Sequence, residues 1–203
     1  MTTTIESVTI DVADPAAAEQ FYDQAFGLTS QLVLRGSAEP STGFRGFTLS
    51  ITVAQPATAS AFIDSALAAG ATTLKPAAKS LWGFGGVVQA PDGTIWKVAT
   101  SKKKDSGPAT REIDEIVLLI GANDVGASKK FYVEHGVEVA KSYGRTYVQF
   151  ATPSSPIGFG LYGHRALAKD AGVTADGSGS HRLAVNSAAG PFVDPDGFAW
   201  QAV

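Results

Sequence analysis

A chain of 203 residues with 44% hydrophobic and 17% charged side chains carries enough apolar material for a buried core in each of two small domains. A net charge of -3 and a pI of about 5.6, with no basic stretch interleaved with aromatics, give no field for a phosphate backbone or an anionic lipid surface, so neither nucleic acid nor membrane is an expected partner. Cysteine is absent, which removes disulfides, thiolate ligands and a cysteine nucleophile, and Met1-Thr2-Thr3-Thr4 lacks the features of an export signal, so the expected location is cytoplasmic.

Residues Ile5 to Val12 alternate apolar and polar and are rich in β-branched side chains, which predicts a half-buried strand. Asp14 has the short oxygen of an N-cap and Pro15 fits the first helical turn. The run from Ala16 to Tyr22 then propagates a helix that stops before Gly27. Leu28 to Leu34 and Gly43 to Val53 read as strands around the turn-forming cluster Gly36 to Ser41. Ala57 to Ala69 is an amphipathic helix with Phe62, Ile63 and Leu67 on one side, and Gly70 stops it. Strands follow over Thr72 to Leu74, Gly83 to Gln89 and Thr94 to Ala99, the last two joined by the turn Pro91-Asp92-Gly93. Residues 1-100 thus read as one α+β domain. Residues 101-111, with Lys102, Lys103 and Lys104 in a Pro/Gly-bearing stretch, read as a solvated linker.

Residues 112-203 restart the plan. A strand over Glu112 to Ile120 leads into a helix from Asp124 to Glu134 that ends at Gly136, and strands follow over Val137 to Lys141, Thr146 to Ala151 and Gly158 to Tyr162. A short helix over Arg165 to Ala171 and a Gly/Ser/Asp loop precede a strand over His181 to Val185. Only Ala188-Ala189-Gly190 then separates that strand from Pro191-Phe192-Val193, too little for a counterpart of the Ala57 to Ala69 helix. The second domain is therefore expected to be abbreviated.

Two signals recur in the same order in both halves. Asp14 stands seven residues before Phe21-Tyr22 and Asp124 seven before Phe131-Tyr132, and the frame Pro-Asp-Gly-x-x-Trp occurs at Pro91 to Trp96 and at Pro195 to Trp200. A step of 110 residues from Phe21 to Phe131 and of 104 from Gly93 to Gly197 is domain-sized, so the chain reads as a tandem of two homologous domains.

This order of Asp-x6-Phe-Tyr, a helix-ending Gly and a closing Pro-Asp-Gly-x-x-Trp strand, present once per half, resembles the vicinal oxygen chelate superfamily, which includes the glyoxalase, bleomycin-resistance and dioxygenase-like proteins. The resemblance implies an α+β fold of paired βαβββ modules whose curved sheets enclose a cleft. It also implies metal ligands on the first strand of each module and the last strand of a domain, pairing of the two halves within the chain, and room for further dimerisation. At those positions domain one offers Ser7, where the family often has His, and Lys97, where Glu is usual; an ammonium there repels a divalent cation, so no metal is expected in domain one. In domain two the matched positions are Glu115, His181 and Gln201, a set that could ligate one Zn, Ni, Mn or Fe ion, with Glu115 doubling as a base. The competing readings are a solvent-facing Glu115, a loop-capping His181 and a Gln201 on a fraying last strand. His135 reads as a helix C-cap and His164 as a surface residue.

Trp82, Trp96, Lys97, Tyr147 and Trp200 fall on predicted strands or their ends and are the candidate ligand contacts, with Arg45 and Arg145 as further polar anchors. Three functions stay open. The first is a bleomycin-resistance-like binder of a small aromatic or apolar molecule. The second is a metal-dependent lyase, isomerase or dioxygenase using the Glu115 site, and the third is a structural module without a ligand.

Overall fold

The computed structural model describes residues 3–203. The first half comprises β1 (Ile5–Val12), α1 (Pro15–Phe26), β2 (Leu32–Gly36), β3 (Thr42–Gly43), β4 (Phe47–Thr52), α2 (Pro56–Ala68), β5 (Thr72–Ser80), β6 (Gly83–Gln89) and β7 (Ile95–Thr100). The second comprises β8 (Glu115–Ala122), α3 (Val125–Glu134), β9 (Val139–Tyr143), β10 (Tyr147–Phe150), β11 (Gly158–Gly163), α4 (His164–Ala171), β12 (Gly177–Ser178), a single 3-10 turn (Ser180–Arg182), β13 (Leu183–Ser187), β14 (Phe192–Val193) and β15 (Ala199–Gln201). The α+β class stands, and so does the missing helix between β13 and β14.

Helix boundaries follow the capping chemistry. Asp14 accepts from the Ala17 N–H at 3.1 Å, and Gly27, with φ 69°, closes α1 by donating to the Asp23 carbonyl. Asp124 repeats the cap on α3, accepting from Gly126 and Ala127. In α2 the buried stripe is Thr58, Ala59, Phe62, Ile63 and Ala66, so the expected third apolar contact, Leu67, lies off the stripe and is exposed.

The sheets are built across the two halves. One has five strands in the order β14-β15-β13-β1-β2, the other eight in the order β5-β6-β7-β4-β8-β11-β10-β9. The runs β4-α2-β5-β6-β7 and β8-α3-β9-β10-β11 are two complete βαβββ modules with the same internal order. They meet at the antiparallel β4–β8 seam, where Phe47, Leu49 and Ile51 stand opposite Ile120, Leu118 and Ile116, all buried. The β1–β13 pair likewise joins the two ends of the chain. Residues 1-100 and 112-203 therefore repeat in sequence, while each large sheet takes strands from both.

The linker is exposed at its side chains yet tied at its backbone. The buried Gln55 amide accepts from the N–H groups of Ser106 and Gly107 and from the Ser106 hydroxyl, and donates to the Pro108 carbonyl at 2.6 Å. Gln55→Ala removes all four bonds, and we expect a loss of about 1–3 kcal/mol, read as a lower urea midpoint at unchanged slope.

The repeated sequence signals are pins between the sheets. Tyr22 on α1, the helix linking β1 to β2, donates to Asp92 in the β6–β7 turn at 2.6 Å. Tyr132 on α3, within the eight-stranded sheet's second module, donates to Asp194 just after β14, and the Trp200 indole donates to the Tyr132 hydroxyl at 3.2 Å. The second pin is not a copy of the first. Asp196, the counterpart of Asp92 in the Pro-Asp-Gly frame, instead accepts from the Ser128 hydroxyl and the Asn123 N–H, and the tyrosine takes the aspartate two residues earlier. Asp194 also accepts from the backbone of Asp196 and Phe198, so the segment is a turn.

Candidate functional site

Strand alternation gives the eight-stranded sheet two different faces. Phe47, Leu49, Ile51, Trp96, Val98, Ile116, Leu118 and Ile120 point into the main core. The opposite face presents Ser50 and Thr52 on β4, Lys97 and Ala99 on β7, Val117 and Leu119 on β8, and Gly158 and Gly160 on β11; Ser50 stands level with both Lys97 and Val117.

Helix α4 lies across the middle of this face. Its buried Leu167, Ala168 and Ala171 form a second apolar cluster with Phe44, Val87 and Ile95, against which Leu119 and Tyr162 pack. Its last turn is held by two lysines. The Lys97 ammonium meets the Asp170 carboxylate at 2.6 Å, and Lys75 donates to the Lys169 carbonyl at 2.7 Å. Cations suit the unpaired carbonyls of a helix C-terminus.

What α4 leaves open is a groove of about 450 Å³ between its C-terminal end and the β5–β6 hairpin. Its floor is flat because Gly85 and Ala99, cross-strand neighbours, carry almost no side chain, and the space beside Gly85 is closed by the Val98 carbonyl. Lys75, Lys97 and Asp170 stand at one side, and Trp82, at the hairpin tip and 84% exposed, stands at the rim.

The predicted contacts separate into two groups. Trp82 and Lys97 line the groove. Trp96 and Trp200 do not, and their assignment as ligand contacts is corrected: both are fully buried, Trp96 against Tyr22 and Phe26, Trp200 against Tyr132, Phe159 and Phe192. Tyr147 lies on the far wing of the sheet beside Tyr143 and Tyr162, where burial and then the charge of Glu115 push its hydroxyl pKa up. Arg45 is committed to the Ser41 hydroxyl and the Asp92 carbonyl, outside the groove.

The candidate metal ligands are not brought together. Glu115 opens β8 in the eight-stranded sheet, its carboxylate over Gly158. Gln201 lies in the five-stranded sheet, level with Asn186. His181 precedes β13, with its Nε2 3.8 Å from the Glu39 carboxylate. Leu183 to Asn186 alone spans roughly 10 Å of strand, so His181 and Gln201 do not reach one ion whose bonds are about 2 Å. The true cross-strand row beside Gln201 is Asn186 and Ser7. The Asn186 amide there donates to the hydroxyls of Ser7 at 2.9 Å and Thr9 at 3.0 Å. Hydroxyl and amide groups bring no charge to offset dehydration of a divalent cation, so the residues present do not fit the metal that the resemblance implies. Among the described residues no three His, Cys, Asp or Glu side chains converge. His135 caps α3, its Nδ1 2.8 Å from the Phe131 carbonyl, and His164 sits at the start of α4 near the carbonyls of Gly121 and Ala175.

No protein-family model matches the sequence, and no curated protein matches it. Solved structures do. Glyoxalase I from Zea mays superposes with a TM-score of 0.63 at 14% identity, covering 99% of this chain and 92% of that one. The fold is that of glyoxalase I. A putative dioxygenase from Bacillus subtilis shares the glyoxalase fold at a TM-score of 0.55 and 11% identity, over 90% of this chain and 69% of that one. A glyoxalase/bleomycin resistance protein/dioxygenase family enzyme from Burkholderia phytofirmans covers 48% of this chain at 19% identity and a TM-score of 0.44. Within the glyoxalase fold the eight-stranded sheet holds the two complete βαβββ modules, and the five-stranded sheet is made of β1 and β2 with β13, β14 and β15. Among the described residues no helix is long and apolar enough to cross a membrane. The groove residues Lys75 and Asp170 escaped sequence reasoning. Asp170 sits on a helix whose packing against the sheet face has no local signature, and Lys75 falls where the predicted strand was cut short at Leu74.

Proposed function

We propose that this protein binds a small planar molecule, aromatic or apolar, in the groove between the β5–β6 hairpin and the end of α4. The observation that carries the reading is the flat floor of Gly85 and Ala99 beside an indole, Trp82, that is exposed to water. A side chain of that size left in solvent gains from stacking on a planar ligand, and the groove volume is in the range of small-molecule sites. The metal-dependent lyase, isomerase or dioxygenase alternative finds no support in the donor set, because Glu115 stands in one sheet and Gln201 in the other, His181 lies before β13, and the row beside Gln201 offers only Asn186 and Ser7.

Trp82 is the exposed one of three tryptophans, so it reports on the groove with little background change from the other two. Titration with a panel of bicyclic aromatic compounds should quench its emission, and Trp82→Ala should weaken binding by about tenfold while leaving the urea midpoint unchanged. A panel in which no compound alters the emission or is retained in equilibrium dialysis would sink the proposal.

A further inference from the structure

Resting on that binding reading, we infer that the ligand of the groove is a planar monoanion whose acidic group is received by Lys75 and Lys97, in competition with Asp170. Three ammonium groups line the groove, those of Lys75, Lys79 and Lys97, with one carboxylate, Asp170; Lys75 and Lys97 are the two that meet the end of α4. Lys97 is paired with Asp170 at 2.6 Å, a contact more than one-third exposed on both sides and therefore exchangeable. Lys75 spends one N–H on the neutral carbonyl of Lys169, and among the described residues no carboxylate lies within ion-pair distance of it. An ammonium has three donors, so both lysines keep N–H groups for an incoming oxyanion. The exposed Lys102, Lys103 and Lys104 follow directly on Ser101, which lines the groove, and add to the local positive field of a chain whose net charge is negative. The flat floor accepts the ring while Lys75 and Lys97 take the charge, so an aromatic carboxylate fits both parts.

The competing account is that the two lysines serve only the last turn of α4. Equilibrium dialysis of 2-naphthoate and its neutral isostere 2-naphthamide separates the two. We expect the acid to bind about fivefold more tightly at low salt, the preference shrinking as salt is added. Lys75→Gln keeps a donor for the Lys169 carbonyl but removes the charge, and should erase most of the preference. Asp170→Asn should tighten binding of the acid severalfold and leave the amide unchanged. Equal binding of acid and amide, both weakened by Trp82→Ala, would overturn the anion assignment and leave the groove as a neutral site. An acid preference that persists in both Lys75→Gln and Trp82→Ala would place binding elsewhere and overturn it too. Retention of neither compound would remove the binding reading as well as this inference.

Discussion

Tyr132→Phe should cost about 3 kcal/mol, more than the same change at Tyr22. The hydroxyl is buried between a carboxylate and an indole, donating to Asp194 and accepting from Trp200. Removing it leaves the Asp194 Oδ2 and the Trp200 indole N–H without their partners, although Oδ1 keeps its bonds to the turn backbone, and each orphaned atom carries a desolvation cost of about 1–3 kcal/mol. Tyr22→Phe should cost less, about 1 kcal/mol, because its partner Asp92 lies in a half-exposed turn and can turn to water. Urea denaturation of the two variants side by side checks the ranking, and equal losses would refute the argument. The same site gives a pH signature. Burial is the largest influence on Asp194 and raises its pKa, against the lowering effect of its hydrogen bonds to Tyr132 and the turn backbone. A carboxyl group whose folded pKa is raised contributes stability below the ordinary carboxylate range, and that contribution is lost as pH rises through the raised value. Asp194→Asn keeps an oxygen for the Asp196 and Phe198 N–H groups and cannot ionise. Its stability should therefore change less between pH 4 and pH 7 than that of the parent.

Leu167→Ala should cost about 2–4 kcal/mol, because the side chain is 1% exposed and fills the space between α4 and the face of the eight-stranded sheet. The value distinguishes a helix that is part of the folded core from one merely resting on the sheet. A loss well below 1 kcal/mol, with hydrogen exchange of α4 faster than that of α2, would mean that the helix opens independently of the global transition. A loss near 3 kcal/mol in one cooperative step would mean that the cleft expected from the resemblance is occupied by the chain itself, and that ligands reach only its outer end.

Much of the element order was legible in the sequence because its signals are local. Asp14, Asp124 and Gly27 act through bonds to residues within four positions, and the three residues Ala188 to Gly190 leave no length for a helix. Strand pairing was not legible. Nothing near Phe47 to Thr52 announces that its neighbour is Glu115 to Ile120, since that register is fixed by which apolar rows meet in the core. The metal expectation failed through the same gap. Matching the second half onto the first placed Glu115, His181 and Gln201 in one site, whereas the sheets put Gln201 beside Asn186 and Ser7. One error was avoidable: Trp96 and Lys97 are adjacent on a strand and face opposite sides, so they could not both have lined one cleft.

The pairing of β1 with β13 sets Ile5 level with Ser187. During synthesis β1 therefore waits for a partner encoded far downstream, and the central junction of the five-stranded sheet cannot form in a nascent chain that stops short of β13. During translation Ile5 to Val12 is a β-branched segment with an open edge, the kind of surface that holding chaperones recognise and that pairs with a neighbouring copy when none is present. The eight-stranded sheet, complete once β11 has emerged, can form first, leaving the burden of misassembly on the smaller sheet and on β1.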